Sequence, residues 1–341
     1  MTLSTGARRS APTIRDVAAA AGVSRATASR VINGGHLVSP ATRAVVDAAI
    51  AELRFTPNPA ARSLATRRTG SVALVVPEPD SRLLTDPFFG GIINGLSRAL
   101  ETADLQMVLL IARDAAGARR AGKFLTTGHV DGAVIASHHR DDALNQKIVD
   151  SGLPTIFIGR PIDVPTAHYV DMDNTLGAQL ATEQLMRAGA RRIGTIAGPQ
   201  DMTPGVNRLA GWRAALEEAS QPAVAVEYGD FTAASGAAAM ERLLAAHPDL
   251  DGVFIASDLM ASGALPVLAA HGRRIPDDVA VVGFDDFEIS ESMDPPLTTV
   301  RQPVAEMAAR AGEILTSMLA GGPAPTGPEL FGAEIVVRAS A

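Results

Sequence analysis

The chain has no cysteine, which excludes disulfides, thiol nucleophiles and thiolate metal sites. No apolar run reaches the roughly 18 residues needed to span a bilayer. The opening, MTLSTGARRSAPTI, lacks the apolar segment of a secretory signal. A cytoplasmic protein without membrane association is therefore expected. Catalytic signatures are missing as well. There is no Gly-x-Ser-x-Gly elbow, no phosphate loop and no Gly-x-Gly-x-x-Gly after a strand. Asp285, Asp286, Glu288 and Glu291 form an acidic cluster, but no histidine stands at a spacing that would complete a metal site. Neither catalysis nor a bound metal or cofactor is expected.

Lysine is absent from the first 69 residues, which nevertheless hold ten arginines against three acids, Asp16, Asp47 and Glu52. That segment carries a net charge of +7 within a chain of −7, so the remaining 272 residues carry −14. A basic head on an acidic body suits a head that meets a polyanion and a body that does not. The composition is otherwise that of an ordinary globular protein: 341 residues, 47% hydrophobic and 20% charged, enough for two or three domains.

The head is punctuated like a small helical domain. Thr13 and Asp16 make a capping pattern, and Ile14, Val17, Ala18 and Ala21 follow on one apolar face. Gly22 ends that helix. Ser24 can cap a second helix whose buried stripe is Ala28, Val31 and Ile32, which leaves Arg25, Ala26, Ser29 and Arg30 facing outward. Ser39 and Pro40 open a third. Two short helices about a glycine turn, closed by a third, describe a helix-turn-helix unit whose second helix enters the major groove N-terminal end first. Arg25 and Ala26 then meet base edges, where arginine reads guanine and a methyl group meets thymine. Thr13, Ser24, Thr27, Ser29 and Asn33 can donate to phosphates.

The stretch TIRDVAAAAGVSRATASRVINGGHLVSPATRAVVDAAIAELRFTPNPAARSLATRRTGSVALVVP, from Thr13 to Pro77, resembles the opening of a lactose-repressor (LacI) family transcription factor without a gap. The resemblance implies base-reading positions at Arg25, Ala26 and Arg30. It implies a helix-turn-helix domain over 13–56 behind a disordered tail, 1–12, and a hinge over 57–69 that pairs with its dimer mate in the minor groove. Leu64 matches the family's wedge leucine, Ala61 lies on its face and Asn58 caps the segment. Read alone, eight residues from Asn58 to Ala65 are too few for a helix that persists in water.

From Gly70 to Ala341, apolar strands alternate with helical stretches. Strands are expected at SVALVVP (71), LQMVLLIA (105), VDGAVIAS (130), PTIFIG (154), RRIGTIAG (191), LDGVFIAS (250) and DVAVVGFDD (278). Helices fit 88–102, 174–188, 206–220 and 258–271. This pattern means parallel sheets covered on both faces, and its length requires two α/β lobes. The segment PPLTTVRQP, 295–303, resembles the family's crossover between lobes. The expected architecture is thus an all-α helix-turn-helix head on a two-lobed body like that of periplasmic binding proteins.

Ligands of open α/β sheets sit beyond the carboxyl ends of strands, here Pro77, Ser137, Gly159, Gly198, Ser257 and Asp285. Arg208 and Asp285 match the family's effector-binding arginine and aspartate, and together suit a polyol. Ser257 stands where many relatives carry asparagine. Arg160 follows Gly159 where the lactose repressor has an acid, and is a candidate second contact. Phe88 and Phe89 are either a stacking face for a sugar or core, and Gln302 either touches ligand or joins the lobes. The expected protein is an effector-controlled repressor. It binds near-palindromic double-stranded DNA as a homodimer and takes a small-molecule, carbohydrate-like effector between its lobes. A secreted solute-binding protein shares the body but not the head. EIVVRASA at the chain end carries no heptad run, so no tetramerising tail is expected.

Overall fold

The computed structural model describes residues 12–32, 38–56, 68–140 and 143–341. The chain forms two compact units that meet at Thr69 and Gly70. The first holds helices α1 (Ile14–Ala20), α2 (Arg25–Ile32) and α3 (Pro40–Leu53). Asp16 opens α1 by accepting from the Thr13 amide at 2.7 Å and from its hydroxyl at 2.8 Å. Gly22 turns the chain at φ 62°, a left-handed angle that side chains resist. Ser24 and Ser39 then accept from the amides of Thr27 and Thr42, which fixes the starts of α2 and α3. Val17, Ala21, Val31, Val46 and Ala49 fill the small core between the three helices.

The second unit contains two six-stranded sheets. The first lobe is built on β1 (Ser71–Val76), β2 (Gln106–Ile111), β3 (Gly132–Ala136), β4 (Thr155–Ile158), β5 (Tyr169–Met172) and β11 (Glu329–Phe331), in the order β11-β5-β4-β3-β1-β2. The second is built on β6 (Ile193–Ala197), β7 (Val226–Tyr228), β8 (Gly252–Ile255), β9 (Ala280–Asp285), β10 (Thr298–Arg301) and β12 (Glu334–Val336), in the order β12-β10-β9-β8-β6-β7. All pairings are parallel except β10 with β12. The central strands are buried along nearly their whole length, which is why they read as continuous apolar runs.

Helices α4 (Asp80–Thr85), α5 (Pro87–Thr102), α6 (Ala115–Thr126) and α7 (Ala143–Asp150) belong to the first lobe. Helices α8 (Asn174–Arg187), α9 (Thr203–Glu218), α10 (Ala233–Ala246), α11 (Asp258–Ala270) and α12 (Glu288–Ser292) belong to the second. Helix α13 (Val304–Leu319) follows a second-lobe strand but packs on α5 and the first sheet. The chain therefore crosses between lobes three times, at 172–174, 301–304 and 331–334. The α5–α13 contact is so close that a side chain at Gly95 would begin 2.0 Å from the Ala305 carbonyl oxygen.

Two parallel-sheet lobes match the expectation from sequence. Strands β5, β7, β10, β11 and β12 fell outside the expected set because each spans only three or four residues, too few for a clear apolar run. Buried Asp171 interrupts Tyr169–Met172, and two threonines open Thr298–Arg301. The 295–303 segment thus contains a sheet strand, and the crossing begins only at Arg301.

Candidate effector site and nucleic-acid interface

The carboxyl ends of the strands of both lobes converge on one cavity of about 690 Å³, counting its opening to solvent. Ser137 and Gly159 reach it from β3 and β4, Ser257 and Asp285 from β8 and β9, and Gln302 from just beyond β10. Three of the residues that line it without being glycine hold left-handed backbone: Ser137 at φ 59°, Phe231 at 66° and Asp285 at 121°. Such conformations cost of order 1–3 kcal/mol each and cluster where function fixes the geometry.

Arg208, on α9, is buried at the cavity floor with 3% of its surface exposed. Its Nε donates to Asn174 Oδ1 at 2.9 Å, and its Nη1 to the Ala256 carbonyl at 2.7 Å and to Asp285 Oδ1 at 3.2 Å. Its Nη2 donates to Gln302 Oε1 at 2.9 Å, and its guanidinium lies 3.6 Å from the Phe284 ring centroid. Burial raises the Asp285 carboxyl well above the usual carboxylate range, and the Arg208 charge opposes that shift. Burial also lowers Arg208, against the pull of Asp285. Asp285 thus has one oxygen committed to arginine and a second with capacity to accept from a ligand.

The opposite wall comes from the first lobe. Asp86 caps α5 by accepting from the Phe88 amide at 3.0 Å, and burial raises its pKa. Arg82 lies beside it and gives Nη1 to Glu78 at 2.5 Å. Its guanidinium carbon stands 5.5 Å from the ring centroid of Phe231, a second-lobe residue, and Arg208 stands 5.8 Å from the same ring. Phe231 itself sits where only glycine fits beneath it, since a Cβ at Gly198 would lie 2.3 Å from the ring. His138 also lines the cavity. Burial depresses its pKa to about 4, so the ring is neutral and its Nε2 donates to the Gly159 carbonyl at 3.0 Å.

Beside the cavity, three contacts join the lobes. The His139 ring stands 2.8 Å from Asp201 Oδ2 through Nδ1 and 3.1 Å from Glu78 Oε1 through Nε2. The Arg140 amide donates to the Asp201 carbonyl at 2.7 Å, and the Thr203 hydroxyl to the Arg160 carbonyl at 2.5 Å. The Glu78 hydrogen bond, first among the influences, and then that from Asp201 raise the His139 pKa against burial. Glu78 lies below the usual range despite burial, its largest influence, because His139, Arg82 and Ser137 together outweigh it.

Of the effector residues read from sequence, Phe88, Arg208, Ser257, Asp285 and Gln302 line the cavity. Ser257 also caps α11 by accepting from the Met260 amide. Phe89 lies in the core at 1% exposure, edge-on to Phe88 at 5.4 Å between centroids. Adjacent helical residues point about 100° apart, so one phenylalanine takes the cavity and the other the core. The Arg160 side chain is exposed and outside the lining; its backbone instead donates to Asp171 Oδ2 at 3.0 Å. Arg82, Asp86, His138, Asp171, Asn174 and Phe231 were missed. No sequence spacing signals them, because they arrive from separate elements of the two lobes. In the acidic cluster, Asp286 is held by Arg338 at 2.7 Å and Arg301 at 2.9 Å, and Glu291 by Arg338 at 3.2 Å.

In the head, Arg25, Ala26 and Arg30 are exposed along α2, while Ala28 and Val31 are buried beneath them. Thr13 and Ser24 occupy helix caps, and Thr27 and Ser29 are half-buried. Asn33 and the hinge positions Asn58, Ala61 and Leu64 lie outside the described residues.

A three-helix head with an exposed arginine-bearing second helix, and a two-lobed body closing on a cavity that holds paired charges, define the class of ligand-responsive DNA-binding regulators. Comparison agrees at both ends: residues 13–58 match the model of bacterial regulatory proteins of the lacI family, and residues 182–341 that of a periplasmic binding protein-like domain. The HTH-type transcriptional regulator CelR of Thermobifida fusca is 50% identical over 318 residues, 92% of this chain and 94% of that protein. The solved structure of a transcriptional regulator CelR–cellobiose complex is 46% identical, with a TM-score of 0.78 over 97% of this chain and all of that one. The Lac repressor dimer bound to operator and an anti-inducer is 28% identical, with a TM-score of 0.84 over 96% of this chain and 98% of that one. The chain belongs to the LacI family. It is an effector-controlled transcriptional regulator and not an enzyme. Among the described residues, no helix is long and apolar enough to cross a membrane.

Proposed function

We propose that this regulator acts in the cytoplasm as a homodimeric repressor whose effector is a neutral disaccharide of the cellobiose type. The observation that carries the ligand class is the commitment of both cavity arginines. Arg208 is paired with Asp285, and Arg82 with Glu78. Each of the two lining arginines already has its charge balanced by a carboxylate, and burying a ligand anion beside Asp86, Asp171 and Asp285 is costly. Hydroxyl groups suit the site better, because each can donate to a carboxylate and accept from a guanidinium. The Phe231 ring adds an apolar face of the kind that sugar rings lie against. The likeness to a regulator solved with cellobiose supports the same reading.

In the head, Arg25, Ala26 and Arg30 read bases of a near-palindromic operator. Thr13, Ser24, Thr27, Ser29 and Asn33 hold phosphates. The hinge from residue 57 to 69 brings Asn58, Ala61 and Leu64 to the minor groove, with Leu64 as the wedge that opens a base step. The domain boundaries follow from this division of labour: head 13–56, hinge 57–69, body 70–341.

Calorimetry with cellobiose, glucose, glucose 6-phosphate and a nucleoside tests the ligand class. Cellobiose binds tightest on this reading. Tighter binding of the phosphate ester or the nucleoside overturns it.

A further inference from the structure

The cavity contains a second polar pole that the arginine–aspartate floor does not account for. Arg82 Nε is buried, yet no hydrogen-bond acceptor reaches it. The Asp86 carboxylate beside it stands with Oδ2 3.8 Å away, beyond hydrogen-bonding distance. Asp86 uses its other oxygen to cap α5, and Arg82 uses Nη1 on Glu78. A buried donor and a carboxylate oxygen therefore stand together, each with unused capacity, in the lining of the cavity. An unmatched buried donor is costly and calls for a partner. A sugar hydroxyl placed against both accepts from Arg82 Nε and donates to Asp86 Oδ2, which a group with only one of these capacities cannot do.

The floor offers the same pairing of capacities, with Asp285 as acceptor and the Gln302 amide as donor. Phe231 lies beside both poles, with Arg82 at 5.5 Å and Arg208 at 5.8 Å from its ring. We propose that Arg82 and Asp86 form a second sugar subsite, which holds the ring that a monosaccharide lacks and so sets the preference for a disaccharide. The proposal rests on the carbohydrate reading above. Hydrogen bonds to charged groups in a desolvated site are the ones that discriminate most strongly against a ligand lacking the matching hydroxyl.

Two variants test it. Arg82→Met keeps an unbranched apolar stem against Phe231 and removes the donor. Asp86→Asn keeps an oxygen to cap α5 and removes the charge. Calorimetry is run on the full-length protein with cellobiose and with glucose, and thermal melting checks the fold of each variant. Both variants are expected to weaken cellobiose about tenfold or more, while glucose affinity changes less than about twofold. Equal weakening of both sugars, or no weakening of cellobiose, overturns the subsite; the latter result would mean that a water occupies the gap. If Arg82→Met melts early, the ratio measured on Asp86→Asn alone decides. Wild-type protein that binds glucose but not cellobiose overturns the subsite while leaving a carbohydrate effector standing, whereas wild type that binds neither overturns both.

Discussion

At the scale of single residues, Arg208 is a structural hub of the cavity floor. It ties Asn174, Ala256, Asp285 and Gln302 together, so it holds the floor in shape before any effector arrives. Arg208→Lys retains the charge but cannot make the same planar set of bonds. Effector affinity in that variant should fall at least about tenfold by calorimetry. Operator affinity without effector should stay within about twofold, because the head is a separate unit. Arg208→Ala goes further: it strands Asp285 in the interior, and the body should lose roughly 3–5 kcal/mol in a denaturant titration. In the head, Arg25→Ala should cost about 1–3 kcal/mol of operator binding and relax one base position in a randomised-site selection. An unchanged preference there would remove Arg25 from the readout.

At the scale of elements, the join between lobes contains a histidine held between two carboxylates. His139 leaves the end of β3 in the first lobe and reaches Asp201 ahead of α9 in the second. Both ring nitrogens face carboxylate oxygens, which only the imidazolium can satisfy with two donors. Its pKa is raised in this closed arrangement, so the contribution is full below the ordinary histidine range and is lost as pH climbs through the raised value. An effector that binds the closed lobes should therefore bind more weakly as pH rises through that window, while His139→Gln should show a flat profile there. Calorimetric titrations across neutral pH check this, and a wild-type profile as flat as the variant's contradicts it. The elements also mark what the sequence could carry. Long apolar strands and capped helices announce themselves, and so do strand-end residues such as Ser257 and Asp285. Arg82, Asp86 and Phe231 did not, because a six-residue helix, a helix cap and a left-handed loop position have no period. Only the folding of two lobes against each other brings them to one cavity. Phe89 and Arg160 failed for a complementary reason: sequence neighbours of a site residue point elsewhere when helix rotation or a glycine turn intervenes.

At the scale of the whole molecule, the chain joins a basic head of +7 to an acidic body of −14. The head has its own small core, and the body's cavity lies among strand ends far along the chain. Control therefore requires that ligand and operator bias a shared equilibrium, and linkage makes the coupling reciprocal. Operator affinity measured by fluorescence anisotropy, with and without saturating cellobiose, tests this most directly. A shift of about 5- to 150-fold is predicted, with the operator changing cellobiose affinity by the same factor. Cellobiose that binds by calorimetry yet leaves operator affinity unchanged would contradict the account.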